Sequence, residues 1–166
     1  MITVIAGSNR ADNNTKKVAR EYNRILTGKG IPNQLLALDE MPVFERNAAF
    51  VEMEKQFLLE AEKFIFIVPE YNGSYSGILK LLIDNSDVKP AWANKKALLT
   101  GVSTGRAGNL RGLEHLTGSL LHMKMIVHPN RLPISVVNKL LDAQDHIADP
   151  ATWQVMENQI QEFIRF

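Results

Sequence analysis

The stretch G-S-N-R-A-D-N-N-T at residues 7–15 follows a short apolar run and precedes apolar residues at helical spacing. The pattern predicts a strand over residues 2–5 and a helix over residues 18–26, with a sharp turn between them. The first N–H groups of a helix lack partners within the helix and its dipole is positive there, so this turn suits an anion. Donor side chains suited to a phosphate surround this point, without a lysine among them: Ser8, Arg10, Asn13, Asn14 and Thr15.

Two well-known phosphate-binding motifs are missing from the sequence. The pattern G-x-x-x-x-G-K-[ST] does not occur, and G-x-G-x-x-G does not follow the first strand. ATP hydrolysis and a dinucleotide-binding Rossmann domain are therefore disfavoured. From the turn alone a purely structural interpretation stays open, in which Asn13 or Asn14 caps the helix and Arg10 is solvated.

The composition favours a small-molecule function. The 166 residues are the size of one domain, expected to span 1–166, and 19 basic against 18 acidic residues give a net charge of +1. That balance carries no electrostatic signature of nucleic-acid binding. The absence of cysteine excludes disulfides, thiolate nucleophiles and cysteine-held clusters, so redox chemistry would need an external cofactor. With no basic leader and no long apolar run, we expect a soluble, cytoplasmic protein without membrane contact.

Strand and helix patterns alternate five times along the chain. After the first pair, strands are predicted at 34–38, 64–68, 95–100 and 125–127, and helices at 50–61, 78–83, 110–120 and 153–166. A connection containing Pro42 runs over 41–50, Ser74 and Ser76 mark a helix start, and Pro90 interrupts the chain. The run at 64–68 is apolar at every position, which is typical of the centre of a covered sheet.

Such alternation predicts an α/β protein with a five-stranded parallel sheet and helices on both faces. In this architecture ligands bind beyond the carboxyl ends of the strands, where the strand order reverses. The turns at 7–15, 69–77 and 101–108 all follow strands. We therefore expect them to open on the same rim of the sheet and to form one site.

With these turns in place, the chain resembles the NAD(P)H-dependent FMN reductase family of flavodoxin-like three-layer sandwiches, which includes quinone, azo-dye and chromate reductases. Residues 7–15 resemble the family's G-S-x-R-x-x-S-N-T, and P-E-Y-N-G-S-Y-S-G-I-L-K at 69–80 resembles its P-E-Y-N-x-S-x-P-G-x-L-K. The segment V-S-T-G-R-A-G at 102–108 resembles the family's flavin loop. The resemblance implies bound FMN, NADPH or NADH as electron donor, and a small-molecule acceptor.

The resemblance also assigns roles to residues. It places the FMN phosphate on the turn at 7–15 already described. The isoalloxazine ring is expected to border Pro69, Glu70, Tyr71, Asn72 and Gly73, with Tyr71 flanking it. The pyrimidine edge is expected to meet Ser103, Thr104, Gly105 and Gly108.

No residue is expected to act as a catalytic acid or base, because the flavin carries the chemistry. Glu70 is read as a solvated or hydrogen-bonded carboxylate. The four histidines at 115, 122, 128 and 146 lack ligand spacing, so they are predicted to be surface or packing residues and no metal is assigned.

Three departures from the family pattern bear on binding and assembly. Asn13 replaces a common serine but can still donate to phosphate, whereas Ser76 replaces a proline, which predicts a looser loop. Leu81-Leu82 replaces an Asn-Ala pair on a helix too apolar for one buried face. We expect a homodimer, able to pair into a tetramer, through residues 77–84 and the segment around Trp92.

Two details of function stay open at the level of sequence. Arg106 and Arg111 could hold a nicotinamide 2′-phosphate, which would favour NADPH, or could simply be solvated. An electron carrier without a nicotinamide site, or a regulatory flavin-binding protein, is the alternative to an enzyme. The net charge of +1 does not favour a carrier that docks on basic partners.

Overall fold

In a computed structural model that describes residues 1–41 and 43–166, six strands form one parallel sheet. They are β1 (Ile2–Ala6), β2 (Asn33–Ala37), β3 (Lys63–Pro69), β4 (Lys96–Val102), β5 (Ile126–Val127) and β6 (Leu132–Ile134). The order is β2-β1-β3-β4, with β5 and β6 both beside β4. β3 lies at the centre of the sheet, which confirms that prediction. Pro42, in the predicted connection, lies outside the described residues.

The fifth sheet position is filled by two short strands instead of the single one predicted. β5 pairs with the start of β4 at Lys96–Ala97, and β6 pairs with its end at Thr100–Val102. The sequence analysis missed β6 because it is three residues long and contains Pro133. Proline lacks an N–H donor and is therefore tolerated on an edge strand such as this one.

Helices cover both faces of the sheet. They are α1 (Asn14–Gly28), α2 (Ala48–Met53, continued by a π-helical turn at Glu54–Leu59), α3 (Gly77–Asn85), α4 (Val88–Ala91), α5 (Leu110–His122) and α6 (Pro150–Arg165). The short α4, which includes Pro90, was not predicted. α6 begins three residues before its predicted start because Asp149 caps it, accepting a 2.8 Å bond from the Thr152 N–H, and Pro150 suits the first helical position.

The sheet separates two buried cores. Phe64, Phe66 and Val68 of β3 face one core, whereas Ile65 and Ile67 of the same strand face the other. This alternation follows from the two-residue period of a strand. The first core receives α2, α3 and α5, and the second receives α1 and α6. Both helical layers predicted by the alternating pattern are therefore present. None of the described helices is long and apolar enough to cross a bilayer.

The apolar residues of α3 are used within the protomer. Ile78, Leu79, Leu82 and Ile83 are buried in the first core, and Leu81 is half-buried against it. Trp92 is fully buried between α4 and the sheet, with its ring centroid 4.9 Å from that of Phe64. Trp92 is thus a packing residue and cannot itself form an intersubunit contact. The apolar content of α3, taken above as a sign of dimerisation, is explained by the protomer's own core.

Candidate cofactor site

The three predicted turns meet at a cleft of about 260 Å³ at the carboxyl ends of β1, β3 and β4. Ten of the predicted binding residues line it: Ser8, Arg10, Asn13, Asn14, Thr15, Pro69, Glu70, Tyr71, Ser103 and Thr104. Four lining residues were not predicted, namely Ala11, Asp12, Val102 and Val137. Four predicted residues lie in the same turns but not on the cleft wall: Asn72, Gly73, Gly105 and Gly108. The expected common rim is therefore observed.

The N-terminus of α1 opens into the cleft. Asn13 caps the helix, since its Oδ1 accepts a 2.7 Å bond from the Lys16 N–H, and its Nδ2 donates to the Arg10 carbonyl at 2.5 Å. Among the described residues, the N–H groups of Asn14 and Thr15 have no acceptor. The capping interpretation and the phosphate interpretation are therefore compatible. The Asn13 side chain shapes the loop, and the free backbone donors point to where an anion would bind.

Ser8, Arg10 and Tyr71 form one cluster across the cleft. A 2.7 Å hydrogen bond joins the Ser8 and Tyr71 hydroxyls, and the Arg10 guanidinium lies 4.5 Å from the centre of the Tyr71 ring. The buried Ser8 Oγ also accepts a 3.2 Å bond from the Arg10 N–H. Tyr71 therefore contacts the residues of the phosphate turn directly, and the first and second turns are connected by side chains.

The second turn is a tight reversal over residues 71–74. Tyr71 and Ser74 exchange two backbone hydrogen bonds of 3.0 and 3.1 Å, while Asn72 and Gly73 have φ values of 51° and 74°. Positive φ at both central positions is typical of an Asn-Gly type I′ turn. The exposed Arg111 lies against this turn, because a Cβ added to Gly73 would be only 3.1 Å from its Nη1. Arg106, also exposed, is on the third turn.

The third turn is held by the end of β6 and by the segment that follows it. The Ser103 N–H donates to Ile134 O at 3.0 Å, and its carbonyl accepts from the Val137 N–H at 3.1 Å. The Gly108 N–H donates to Ser103 Oγ at 3.1 Å, and a Cβ on Gly108 would lie 2.6 Å from that of Pro133. The N–H groups of Ser103 and Gly108 are thus already engaged. Those of residues 104–107 have no acceptor among the described residues, and of these residues Thr104 lines the cleft.

Two buried polar residues fix the turns to one another. Ser76 caps α3 and its hydroxyl donates to the Gly7 carbonyl at 2.5 Å. Asn109 caps α5 in the left-handed region, with φ 61°, and its Nδ2 donates to Val68 O and Pro69 O. Ser76 therefore ties the first turn to α3, contrary to the looser loop expected from the loss of proline. Asn109 could not be predicted from the sequence, because its role depends on the position of β3.

The donor set matches a flavin phosphate. The cleft brings together a guanidinium, hydroxyls of Ser8 and Thr15, and two free N–H groups at a helix N-terminus, all of which donate to phosphate oxygens. A half-buried aromatic ring and free N–H groups of the third turn lie beyond them, as a flavin ring and its pyrimidine edge require. The residues present therefore suit FMN.

Two carboxylates, Asp12 and Glu70, line this cleft, whereas the described histidines lie elsewhere. Glu70 is exposed at its edge, where its N–H donates to Val102 O at 3.1 Å. His128 is buried edge-on against Phe163 and Phe166, while His115 contacts Ser74 and His146 contacts Glu21. Within residues 1–41 and 43–166, no three His, Asp or Glu side chains are placed to share a metal ion.

The strand order 2-1-3-4-5 with a ligand cleft beside β1 and β3 defines a flavodoxin-like protein. A profile of the NADPH-dependent FMN reductase family matches residues 1–138. The chain belongs to that family, whose members use NAD(P)H and FMN. The predicted fold, family and cofactor class are thereby confirmed.

Individual relatives agree with this assignment. An NAD(P)H-dependent FMN reductase of Pseudomonas aeruginosa is 33% identical over 116 residues, which span 67% of this chain and 62% of that relative. A quinone reductase of Pseudomonas putida is 26% identical over 133 residues, 75% of this chain and 71% of that one. The flavoenzyme NAD(P)H:(acceptor) oxidoreductase FerB of Paracoccus denitrificans superposes with a TM-score of 0.81 at 21% identity, covering 99% of this chain and 94% of its own.

Proposed function

We propose that this protein oxidises NAD(P)H through FMN held in the cleft and reduces a small molecule, either a quinone or a free flavin. The main support for the proposal is that one and the same cleft has phosphate donors at one end and unengaged N–H groups of the third turn at the other. Held there by the residues of the first turn, FMN would supply hydride acceptance from NAD(P)H and transfer of two electrons to the acceptor. The names of the Pseudomonas relatives support these two acceptor classes.

The proposed binding roles are supported by the residues that line the cleft. Arg10, Ser8, Thr15 and the N–H groups of Asn14 and Thr15 hold the phosphate. The N–H groups of Thr104 and Gly105 would donate to the pyrimidine edge, and fixed donors at that edge would favour the negative charge of a reduced flavin. Tyr71 would flank the ring and contacts the phosphate turn through Ser8 and Arg10. Nicotinamide and acceptor would use the same open face in turn, which predicts ping-pong kinetics.

The identity of the flavin tests this proposal directly. Flavin extracted from the purified protein, or taken up by it from an equimolar mixture, is to be separated by chromatography. FMN is expected, because the cleft offers one phosphate site at one helix N-terminus. Recovery of FAD alone, or failure to retain FMN, would overturn the proposal.

A preference for NADPH is proposed from Arg111 and Arg106. Arg111 lies over the 71–74 turn, at the edge where a dinucleotide would approach the ring, and Arg106 is on the neighbouring turn. A guanidinium fork suits a 2′-phosphate. Arg111→Ala and Arg106→Ala should therefore raise KM for NADPH while leaving KM for NADH nearly unchanged. Equal changes for both nucleotides would contradict this role.

We further propose that the protein works in the cytoplasm, where NAD(P)H is available, and that it is a homodimer. The surface proposed for the contact is the groove between α3, α4 and α5, where Ile83, Val88 and Met123 lie among polar residues such as Lys80 and His122, and Val88 is 45% exposed. Light scattering on a dilute sample distinguishes monomer, dimer and tetramer. A monomer would contradict this proposal, and Val88→Asp should dissociate the dimer if the groove is the contact.

A further inference from the structure

An acidic residue lies inside the phosphate-binding turn. Asp12 lines the cleft between Arg10 and the start of α1, in the left-handed region with φ 45°, and its side chain is 84% exposed. The other cleft residues of this turn are neutral or basic. A carboxylate here would repel the phosphate of FMN, which carries up to two negative charges, and would have no effect on riboflavin, which has no phosphate.

Lys17 holds this carboxylate from the outer side. Its Nζ lies 3.2 Å from Asp12 Oδ1 and 2.9 Å from Asp145 Oδ1, and its side chain is only 16% exposed. Hydrogen bonds to Asp145 and then to Asp12 raise the pKa of Lys17, so the ammonium stays charged across the neutral range. Asp145 lies beyond the residues that match the family profile, so this arrangement is separate from the family's motifs.

The neighbouring lysine is engaged elsewhere. Lys16 Nζ lies 3.0 Å from Asp39 Oδ2 and also contacts Glu40, both of which follow β2. Its charge is therefore balanced away from Asp12. Of the two lysines at the start of α1, Lys17 is the one placed to offset the Asp12 charge at the cleft.

We propose that Asp12 lowers the affinity of the cleft for phosphorylated flavin and that Lys17, held by Asp145, offsets this repulsion by keeping the Asp12 carboxylate in an ion pair. The pair thereby sets how strongly the protein prefers FMN to riboflavin. This inference rests on the proposed function, because it takes the cleft to be the FMN site.

A double-mutant cycle tests the proposal. Dissociation constants for FMN and riboflavin are to be measured by quenching of flavin fluorescence at low ionic strength for wild type, Asp12→Asn, Lys17→Gln and the double variant. Asp12→Asn should tighten FMN binding about fivefold, and Lys17→Gln should weaken it by a similar factor, since exposed charges act weakly. In the double variant the loss caused by Lys17→Gln should largely disappear. Riboflavin binding should not change.

Matched controls come from the other end of the same helix. Lys29 and Glu157 form a 2.7 Å ion pair near the C-terminus of α1. Lys29→Gln removes the same charge as Lys17→Gln, and Glu157→Gln removes the same charge as Asp12→Asn. Both control variants should leave FMN binding unchanged. In about 1 M salt the differences at Asp12 and Lys17 should vanish, because the screening length falls to about 3 Å.

The outcomes separate this inference from the proposed function. If wild type binds FMN but Asp12→Asn does not tighten binding, the role of Asp12 is overturned. If Lys17→Gln costs as much in the Asp12→Asn background as in wild type, Lys17 acts on the phosphate directly and the offsetting role is overturned. If wild type binds no FMN, the proposed function fails and this inference fails with it.

Discussion

At the scale of single residues, Arg10 is the side chain on which phosphate binding depends most. It stacks on Tyr71 and lies at the mouth of the cleft, and it brings a full positive charge to the phosphate. A charge-assisted contact contributes about 1.5–3 kcal/mol, against about 0.5–1.5 for a neutral one. Arg10→Ala should therefore weaken FMN binding more than Ser8→Ala does, as measured by fluorescence titration. Equal losses would contradict the roles given to these two residues.

A second residue-scale prediction concerns stability and pH. Burial of Glu21 opposes its charge, but hydrogen bonds from Arg24 and His146 outweigh burial and lower its pKa below the ordinary 4.5. A group whose pKa is lowered by folding stabilises the protein above its unfolded pKa, and that contribution is lost as the pH falls through the folded value. Glu21→Gln should reduce the free energy of unfolding by about 1–3 kcal/mol at neutral pH.

Thermal unfolding of wild type and Glu21→Gln across a range of pH checks this. The difference between the two proteins should be largest near neutral pH and should shrink in acid, as the pH falls below the ordinary value of 4.5 and through the lowered folded-state pKa of Glu21. Glu52→Gln serves as a control. Glu52 is exposed and its ion pair with Lys55 is long, at 3.8 Å, so this substitution should change stability little. A difference that persists unchanged in acid would contradict an electrostatic origin.

Sequence reasoning reached some residues of the site and missed others for identifiable reasons. Ser8, Arg10 and Asn13 could be predicted because they sit in a local strand–turn–helix pattern. Val137 and Asn109 could not, because the role of each depends on a partner distant in sequence. Val137 is held at the cleft by Ser103, and Asn109, which does not line the cleft, bonds to the end of β3. Asp12 was visible in the motif, but nothing in the sequence indicated that Lys17 would turn toward it.

At the scale of elements, Ser76 joins α3 to the first turn. It caps the helix and donates to the Gly7 carbonyl while fully buried. Ser76→Ala should cost about 1–2 kcal/mol of unfolding free energy, since both a cap and a buried hydrogen bond are lost. Ser76→Pro should cost less, because the native φ of −69° suits proline and restricts the unfolded chain. Chemical denaturation of both variants measures this, and a greater loss in Ser76→Pro would contradict the explanation.

The elements themselves were largely predictable. α1, α3, α5 and the first four strands appear where hydrophobic periodicity predicted them, because each buries a face of regular period against the sheet. β6 and α4 were missed because they are short and contain proline, so that their conformation is decided by pairing with β4 and by packing around Trp92. Local sequence carries little information about such segments.

At the scale of the whole molecule, we propose that residues 1–166 fold as one domain. The two cores share the same five-position sheet, and β3 contributes alternate side chains to both, so neither layer can lose its packing independently. Calorimetric and spectroscopic unfolding should therefore report one coincident transition. Two separated transitions in the flavin-free protein would contradict a single folding unit.

On the proposed function, the cleft binds FMN, and NAD(P)H reduces this bound FMN. The most direct test is to follow the visible absorption of the FMN-loaded protein after anaerobic mixing with NADPH or NADH in a stopped-flow instrument. The flavin band should bleach at least as fast as steady-state turnover, and a quinone added afterwards should restore it. If neither nucleotide bleaches the flavin while dithionite does, the reductase assignment is wrong and an electron carrier replaces it.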